Sequence, residues 1–138
     1  MSRTRDLTIE TWELAVSRLP PGAPVPGWAM RGPCHVIART PTELSIGGAA
    51  AEVPDNVRAE KGWRCFRVAG PIPVEETGVL LSIAAPLAAA GIGIFAVSTF
   101  DTDYVLVPEA RLADAARALE QAGHRIRKAD PYPSSSTR

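Results

Sequence analysis

The stretch GPIPVEETGVLLSIAAPLAAAGIGIFAVSTFDTDYVLV, residues 70–107, contains a helical pattern followed by two strand-like patterns. Apolar residues first recur at helical spacing, at Val79 or Leu80, Ile83, Leu87 and Ala90. Gly91 provides a stop for this helix, and Pro86 within it predicts a kink or an early break. IGIFAVST and YVLVP are rich in β-branched and aromatic residues, which favour strands. Asp101-Thr102 between them predicts a hairpin connection.

The alternation of helix and strand continues on both sides of this stretch. WRCFRVAG, before it, predicts a strand that ends at Gly70-Pro71. PEARLADAARALEQAG, after it, predicts a helix that begins at Pro108 and ends at Gly123. The buried stripe of this helix comprises Leu112, Ala115, Leu119 and Ala122. HRIRK predicts a closing strand, so the order over residues 63–128 is that of the ferredoxin-like βαββαβ motif.

The two outer strands of this motif, the second and the fourth, differ in charge. HRIRK carries Arg125, Arg127 and Lys128, which protect an exposed edge against wrong pairing. IGIFAVST carries no charged residue, so we expect residues 92–99 to be paired centrally and not to form a free edge. The partner strand would come either from the first half of this chain or from another subunit.

The first half of the chain shows a weaker pattern of the same kind. TWELAVSRL alternates as a strand, WAM predicts one short helical turn, and CHVIART with TELSIGG predicts a hairpin around Pro41-Thr42. AAAEVPDNVRAEKG, which leads into the second half, could hold a second short helix. We therefore predict a degenerate copy of the βαββαβ unit at residues 1–62, a complete unit at 63–128 and a disordered tail at 129–138.

The composition excludes several classes of protein. The chain has 138 residues, and its 15 basic residues equal its 15 acidic residues, so no net field favours nucleic acid or anionic lipid. No apolar run is long enough to span a bilayer, and the N-terminus lacks a signal-peptide core. Cys34, Cys65, His35 and His124 show no metal-ligand spacing. We expect a cytoplasmic protein with reduced, buried cysteines and no metal or other cofactor.

Four segments resemble the small tandem ACT-domain proteins of bacteria, which are similar to the arginine sensors of animals and to the regulatory region of aspartate kinases. The segments are RLPPGAPVPGW, TPTELSI, EKGWRCFRVAGPI and the stretch quoted above, of which AGIGIFAVSTFDTDYVLV is the most specific part. The resemblance implies an α+β fold of two ferredoxin-like ACT units side by side. These units would share one antiparallel sheet with helices on one face.

The resemblance also implies a ligand site at the interface between ACT units, because family members that bind a ligand hold an amino acid there. The loop after the first strand and the hairpin after the second would line this pocket. Carried over to this sequence, the loop residues are Gly70, Ile72, Glu75, Thr77 and Gly78. The strand and hairpin residues are Val97, Ser98, Thr99, Phe100, Asp101 and Asp103. Partners beyond the amino acid would be a second copy of the chain or a regulated protein.

Asp101 and Asp103 allow two interpretations. They can be turn residues, since Asp hydrogen-bonds its own backbone in tight turns. They can instead hold a cation, such as the ammonium group or the side chain of an amino acid. Asp103, at the start of a strand, is the better anchor of the two. No histidine or lysine lies nearby in sequence, so we do not expect an acid–base pair.

The pairs Gly70-Pro71 and Thr77-Gly78 also allow two interpretations. They can let the chain turn into the helix, or they can expose backbone N–H groups that suit a carboxylate. Amides on one side and Asp103 on the other would match both ends of a zwitterion. This complementarity favours a non-catalytic sensor or regulatory protein that binds an amino acid. A small enzyme or accessory protein that uses the same cleft is the alternative, and a pairing module without a ligand is a third.

Overall fold

The computed structural model describes residues 4–130, which form eight β-strands and two α-helices. The strands are β1 (Asp6–Ile9), β2 (Leu14–Leu19), β3 (His35–Arg39), β4 (Leu44–Ala49), β5 (Arg58–Val68), β6 (Phe95–Ser98), β7 (Asp103–Pro108) and β8 (Arg125–Lys128). The α-helices are α1 (Val79–Ala89) and α2 (Leu112–Gln121), and short 3-10 helices lie at Gly27–Met30, Ala50–Glu52 and Glu109–Arg111. The predicted α+β class is confirmed.

The described residues divide into two compact units. The helical unit comprises residues 4–11 and 64–130, and the strand-rich unit comprises residues 12–63. The boundary predicted between residues 62 and 63 lies next to this division, but the N-terminal segment joins the helical unit instead of the first unit. Of the predicted tail at 129–138, only Ala129 and Asp130 lie within the described residues. The N–H of Ala129 donates to the Ile9 carbonyl at 2.9 Å.

The helical unit has the strand order β6-β7-β5-β1-β8. Its βαββαβ sequence of elements is as predicted, and its outer strands are the second and the fourth of that motif. β1 lies between the first and the fourth, where it pairs antiparallel with β5 and parallel with β8. The structure thus adds a strand that was not predicted, and because β1 runs parallel to β8 the sheet is mixed. DLTI is too short to show a periodic pattern, and its pairing partners are distant in sequence.

β6 pairs with β7 and with no other strand among the described residues. The prediction that residues 92–99 would be paired centrally is therefore wrong for a single copy of residues 4–130. The extended segment is also shorter than predicted, since only Phe95–Ser98 forms a strand. The edge remains without charge, which leaves another subunit as the partner to be tested.

The strand-rich unit repeats the same order with its helices reduced to short turns. Its strands pair in the order β3-β4-β2-β5, which places the second, third, first and fourth strands of the motif side by side. The 3-10 helices at Gly27–Met30 and Ala50–Glu52 occupy the two helix positions along the chain. Residues 58–62, which were predicted to lead into the second half, already belong to β5. Gly62, with φ of +82°, lies where the register between β2 and β5 shifts, as expected of a bulge.

The core of the helical unit lies where α1 and α2 pack on one face of its sheet. Ile83, Leu87 and Leu119 are completely buried, and Leu112 packs partly buried against the same cluster, which confirms the predicted apolar stripes. Ala90 and Ala122, the last residues of the two predicted stripes, are exposed instead, because each follows the last residue of its helix. The sheet contributes Leu7, Ile9, Phe66, Val68, Val105 and Val107 to the core.

α1 continues through Pro86 to Ala89, so the early break predicted at this proline does not occur. Proline has no N–H, and the carbonyl of Ser82, four residues earlier, therefore loses its usual helical donor. His124 Nε2 lies 2.9 Å from this carbonyl oxygen and replaces the missing donor. The backbone N–H of Arg5 donates to His124 Nδ1 at 3.0 Å, which assigns the ring proton to Nε2. The nearly buried imidazole is thus a structural partner of α1.

Leu119→Ala should lower the free energy of unfolding by about 2–5 kcal/mol, because it removes buried methyl groups and leaves a cavity beneath α2. Leu81→Ala is the matched control, since Leu81 is 67% exposed on α1. Its truncation should change stability by less than about 0.5 kcal/mol. Chemical denaturation measures both. A loss below about 1 kcal/mol for Leu119→Ala would remove this side chain from the core.

His124→Ala should destabilise the protein less in a Pro86→Ala background than in the wild type. In the wild type it leaves the Ser82 carbonyl without a donor, whereas alanine at position 86 supplies an amide that can donate to this carbonyl. A double-mutant cycle by urea denaturation should give a coupling of about 1 kcal/mol. Equal losses in the two backgrounds would contradict the role assigned to the imidazole.

Candidate functional site

A cavity of ≈ 450 Å³ lies between the loop that joins β5 to α1 and the hairpin that joins β6 to β7. Both walls belong to the helical unit. The loop and the start of α1 contribute Ile72, Pro73, Val74, Glu76, Gly78, Val79 and Leu80. The hairpin contributes Thr99, Phe100, Asp101, Thr102 and Asp103. Three of the lining residues are acidic and none is basic, so the cavity wall itself carries negative charge.

The two walls are joined by direct contacts at the base of the hairpin. The N–H of Ile72 donates to the Asp101 carbonyl at 2.7 Å, and the Thr102 hydroxyl donates to the Val68 carbonyl at 2.6 Å. A Cβ at Gly70 would lie only 2.9 Å from the Asp101 carbonyl oxygen, so a larger residue there would push the hairpin away. The peptide bond between Gly70 and Pro71 is cis. Gly70 therefore allows the close approach of the two walls and does not itself line the cavity.

The hydrogen bonds within the hairpin turn are formed by threonine side chains and by backbone groups. The N–H of Thr99 donates to the Thr102 carbonyl at 2.8 Å, and the N–H of Thr102 donates to the Thr99 hydroxyl at 3.2 Å. The carboxylate of Asp101 is exposed and forms no hydrogen bond or ion pair with another residue in the described part of the chain. The turn therefore does not use the Asp101 side chain.

Asp103 is the first residue of β7 and lies directly opposite Ser98 of β6. The Ser98 hydroxyl donates to Asp103 Oδ1 at 2.6 Å. This bond orients the carboxylate and leaves further acceptor positions on it, because an ionised carboxylate can accept about four hydrogen bonds. Asp103 therefore presents a partly exposed negative charge at the cavity wall.

α1 begins at the opposite wall without a side-chain cap. Gly78, at the N-cap position, has φ of +80° and, as a glycine, provides no side-chain cap. The first N–H groups of an α-helix have no partner within the helix and carry the positive end of its dipole. Glu75 and Glu76 precede the first turn of α1, which contains no acidic residue. The helix start therefore offers backbone donors to the cavity.

Glu76 is the one cavity carboxylate that is neutralised by a cation of the described chain. Its Oε2 forms an ion pair with the guanidinium of Arg5, and both side chains are largely buried. Because Arg5 directly precedes β1, this pair ties the start of the described chain to the loop before α1. Asp101 and Asp103 thus remain as the uncompensated charges of the cavity.

The structure brings together six of the eleven residues that the resemblance implied. Those that line the cavity are Ile72, Gly78, Thr99, Phe100, Asp101 and Asp103. The other five lie beside it: Gly70 holds the walls together, Ser98 orients Asp103, and Val97 pairs with Tyr104 within the hairpin. Glu75 and Thr77 are exposed in the loop without lining the cavity.

Six lining residues were not predicted, namely Pro73, Val74, Glu76, Val79, Leu80 and Thr102. The helical spacing places Val79 or Leu80 on the apolar face of α1, and because both residues lie at the start of the helix, both also contact the cavity. Glu76 is next to the predicted Glu75, and the turn before α1 decides which of the two points inward. The sequence alone does not show which of two adjacent loop residues points into the cavity, because this depends on the loop conformation.

Other features of residues 4–130 bear on the classes of function. In this range, no three His, Cys, Asp or Glu side chains are grouped so that they could hold a metal ion. No helix there has both the length and the apolar character needed to cross a membrane. Cys34 and Cys65 are not joined in a disulfide, and Cys65 is buried as expected, whereas Cys34 is only half-buried.

Comparison with known proteins supports the resemblance seen in the sequence. A family model for the ACT domain matches residues 58–121. The human protein named cytosolic arginine sensor for mTORC1 subunit 1 is 40% identical over 82 residues, which are 59% of this chain and 22% of that protein. The rat protein of the same name is 34% identical over 92 residues, or 66% of this chain and 25% of its own. This chain thus spans a quarter or less of the length of these relatives.

Solved structures show the same fold over most of the chain. A crystal structure of a protein from Agrobacterium tumefaciens is 37% identical, with a TM-score of 0.89, and the match covers 96% of this chain and 100% of that one. The regulatory subunit of aspartate kinase from Thermus thermophilus is 13% identical with a TM-score of 0.62, covering 88% and 99%, and it supports the fold alone. The family model thus shows that residues 58–121 are similar to an ACT domain, and the solved structures show that the same fold extends over most of the chain.

Proposed function

We propose that this chain is a non-catalytic sensor or regulatory protein that binds an amino acid in the cavity between the β5–α1 loop and the β6–β7 hairpin. One observation carries the proposal: carboxylates lie on one wall and an uncapped helix start lies on the other. A free amino acid is a zwitterion, so its site needs groups of both polarities a short distance apart. The human relative named as an arginine sensor supports this class of function.

Asp103 holds the ammonium group of the ligand in this proposal. The hydrogen bond from Ser98 fixes the orientation of the carboxylate before the ligand arrives, which reduces the entropy lost on binding. A hydrogen bond between an ammonium group and a carboxylate is roughly twice as strong as one between neutral groups. Asp103 therefore contributes both affinity and orientation.

The backbone N–H groups at the start of α1 bind the ligand carboxylate. Gly78 and Val79 line the cavity, and the N-cap residue has no side chain that could compete for these donors. The helix dipole adds a favourable interaction with an anion at this position. The ligand carboxylate is thus bound by main-chain groups that every helix start provides. The hairpin provides the selectivity among amino acids.

The charge of the cavity favours an amino acid with a cationic side chain. With Asp103 bound to the ammonium group, Asp101 remains available for a guanidinium or an amine. An acidic side chain would instead place a further negative charge beside these carboxylates, which is unfavourable. We therefore expect arginine or lysine to bind more tightly than aspartate or glutamate. The name of the human relative, an arginine sensor, agrees with this order.

The lining residues support binding more than catalysis. They include no histidine, cysteine or lysine, and their two threonine hydroxyls are engaged in the turn and on the Val68 carbonyl. A nucleophile or a base other than a carboxylate is thus missing from the cavity wall. The word cytosolic in the names of the relatives supports a cytoplasmic location for this chain.

A second copy of the chain would complete the site along β6. Phe100 and Val74, which border the cavity, are 86% and 78% exposed, and no strand within residues 4–130 pairs with the outer edge of the adjacent, uncharged β6. Antiparallel pairing of two β6 strands about a two-fold axis would satisfy both edges at once. It would also bring a second hairpin to the open side of the cavity. The ligand would then lie at an interface between ACT units, as the resemblance implies.

Asp103→Asn should weaken amino-acid binding about tenfold or more and leave stability nearly unchanged. Asparagine keeps an acceptor for Ser98 but loses the charge, and a charge-assisted hydrogen bond contributes about 1.5–3 kcal/mol. A thermal-shift screen of the twenty amino acids selects the ligand, and calorimetric titration measures its affinity for both proteins.

The matched control for this experiment is Asp114→Asn, because Asp114 pairs with Arg111 and Arg117 on the surface of α2 and does not line the cavity. Its affinity for the ligand should equal that of the wild type. Equal affinities for the wild type and Asp103→Asn would exclude Asp103 from the site. Reduced stability with unchanged binding would identify Asp103 as a turn residue.

Ala96→Lys should shift the chain from dimer to monomer, because it places like charges on the two β6 edges where they meet. Sedimentation velocity over a range of concentrations, with and without the ligand, measures the change. Leu81→Lys adds the same charge on the exposed face of α1 and should leave the assembly unchanged. A wild-type chain that stays monomeric at every concentration would refute the pairing of β6, while Asp103 keeps its separate test.

A further inference from the structure

A row of polar side chains crosses the face of the helical unit's sheet that is turned away from α1 and α2. Along β1, Leu7 and Ile9 enter the core, so Thr8 between them lies on the other face. Thr8 is directly opposite Arg67 of β5 and directly opposite Arg127 of β8. Residues opposite each other on neighbouring strands share a face. Arg67, Thr8 and Arg127 therefore form one line across three strands, called here the arginine row.

The arginine row borders a cavity of ≈ 410 Å³. The residues that line it are Asp6, Thr8, Arg67, Ala69, Arg125, Ile126 and Arg127. None of them lines the cavity proposed for the amino acid. The two cavities also have opposite character, because three arginines and a single carboxylate surround this one.

Two of these three arginines have acidic partners among the described residues, and the third has none there. Arg125 Nε bonds to Asp6 Oδ1 at 2.5 Å, and this hydrogen bond lowers the pKa of the Asp6 carboxyl below its usual value. Arg67 Nε donates to Glu10 Oε2 at 2.5 Å, and Glu10 does not line the cavity. Arg127 is exposed and forms no ion pair within residues 4–130. The cavity therefore keeps positive charge at neutral pH.

The middle of the row contains a hydroxyl without a partner. Thr8 is only 7% exposed, and its side chain forms no hydrogen bond with the described residues. Its hydroxyl oxygen keeps contact with solvent at the cavity, where water or a ligand can bond to it. The hydroxyl lies between the two arginines of the row, where an anion bound by both would reach it.

We propose that the arginine row binds a phosphate group, either free or as a phosphate monoester. Arg67 uses one of its five N–H groups on Glu10, so most of its planar fork remains available, as does that of Arg127. Their Cα atoms are two strand spacings apart, roughly 10 Å, and two extended arginine side chains can close around one anion over that distance. A tetrahedral anion has enough oxygens for both forks and for the Thr8 hydroxyl, whereas a carboxylate has only two.

Thermal unfolding of the full chain tests the proposal. Sodium phosphate is titrated at constant ionic strength in a buffer without other oxyanions, with chloride as the replacement salt. The melting temperature should rise and then saturate, because a ligand that binds only the folded state stabilises it. Glycerol 3-phosphate should have the same effect if the group is carried by a monoester, and a response to phosphate alone would identify the free anion. Acetate should have no effect.

Single substitutions test whether phosphate binds at the arginine row. Arg127→Gln should weaken phosphate binding about tenfold or more, and Thr8→Val should weaken it by a smaller factor. Lys128→Gln removes the same charge from the next residue, which alternates to the other face of β8, and should bind phosphate as the wild type does. Asp103→Asn should also leave the response unchanged, which separates this site from the amino-acid cavity. The proposal fails if phosphate has no effect at constant ionic strength, if acetate matches it, or if Lys128→Gln loses as much as Arg127→Gln.

Discussion

The insertion of β1 between β5 and β8 is the constraint on which most of the helical unit depends. The strand has only four residues, yet it forms backbone hydrogen bonds on both sides and supplies Leu7 and Ile9 to the core. Arg5, the residue before β1, forms an ion pair with Glu76, and its backbone N–H donates to the ring of His124. Without β1, β8 would lose its only neighbouring strand in the described chain, and α1 would lose the anchor of its histidine.

The candidate amino-acid site is built mainly from backbone groups held at fixed separation. Gly70 and Thr102 bring the hairpin onto the end of β5, and the hydrogen bond between Ile72 and Asp101 joins the loop to the turn. The start of α1 is a second fixed point, because the helix is packed on the sheet by completely buried side chains. Of the charged side chains at the cavity, only those of Asp101 and Asp103 have no ion-pair partner in the described chain. Their position at the strand end explains how carboxylates can interrupt an otherwise apolar sequence.

Local sequence patterns were sufficient to predict the elements that are specified by residues near them in sequence. α1, α2 and the β6–β7 hairpin follow from apolar periodicity and turn residues, and the order of elements then gives the motif. β1 could not be found this way, since DLTI has no pattern of its own and is extended because of partners about 60 and 120 residues away. The break predicted at Pro86 is absent for a related reason. His124, which is distant in sequence, provides the donor that the Ser82 carbonyl lacks because of the proline. In the site, the aspartates were predictable from their chemistry, but Glu76 and Leu80 depend on the loop conformation.

The uncharged edge of β6 also affects the solubility of the chain. Charged residues protect the opposite edge at β8, whereas the outer edge of β6, which no strand of the described chain covers, can pair with an extended segment from an unfolded neighbour. Such a strand is a hazard during synthesis, when many incomplete chains are close together. Its length is the remaining protection: four residues extend over roughly 13 Å, too short for an intruding strand to form a long ladder.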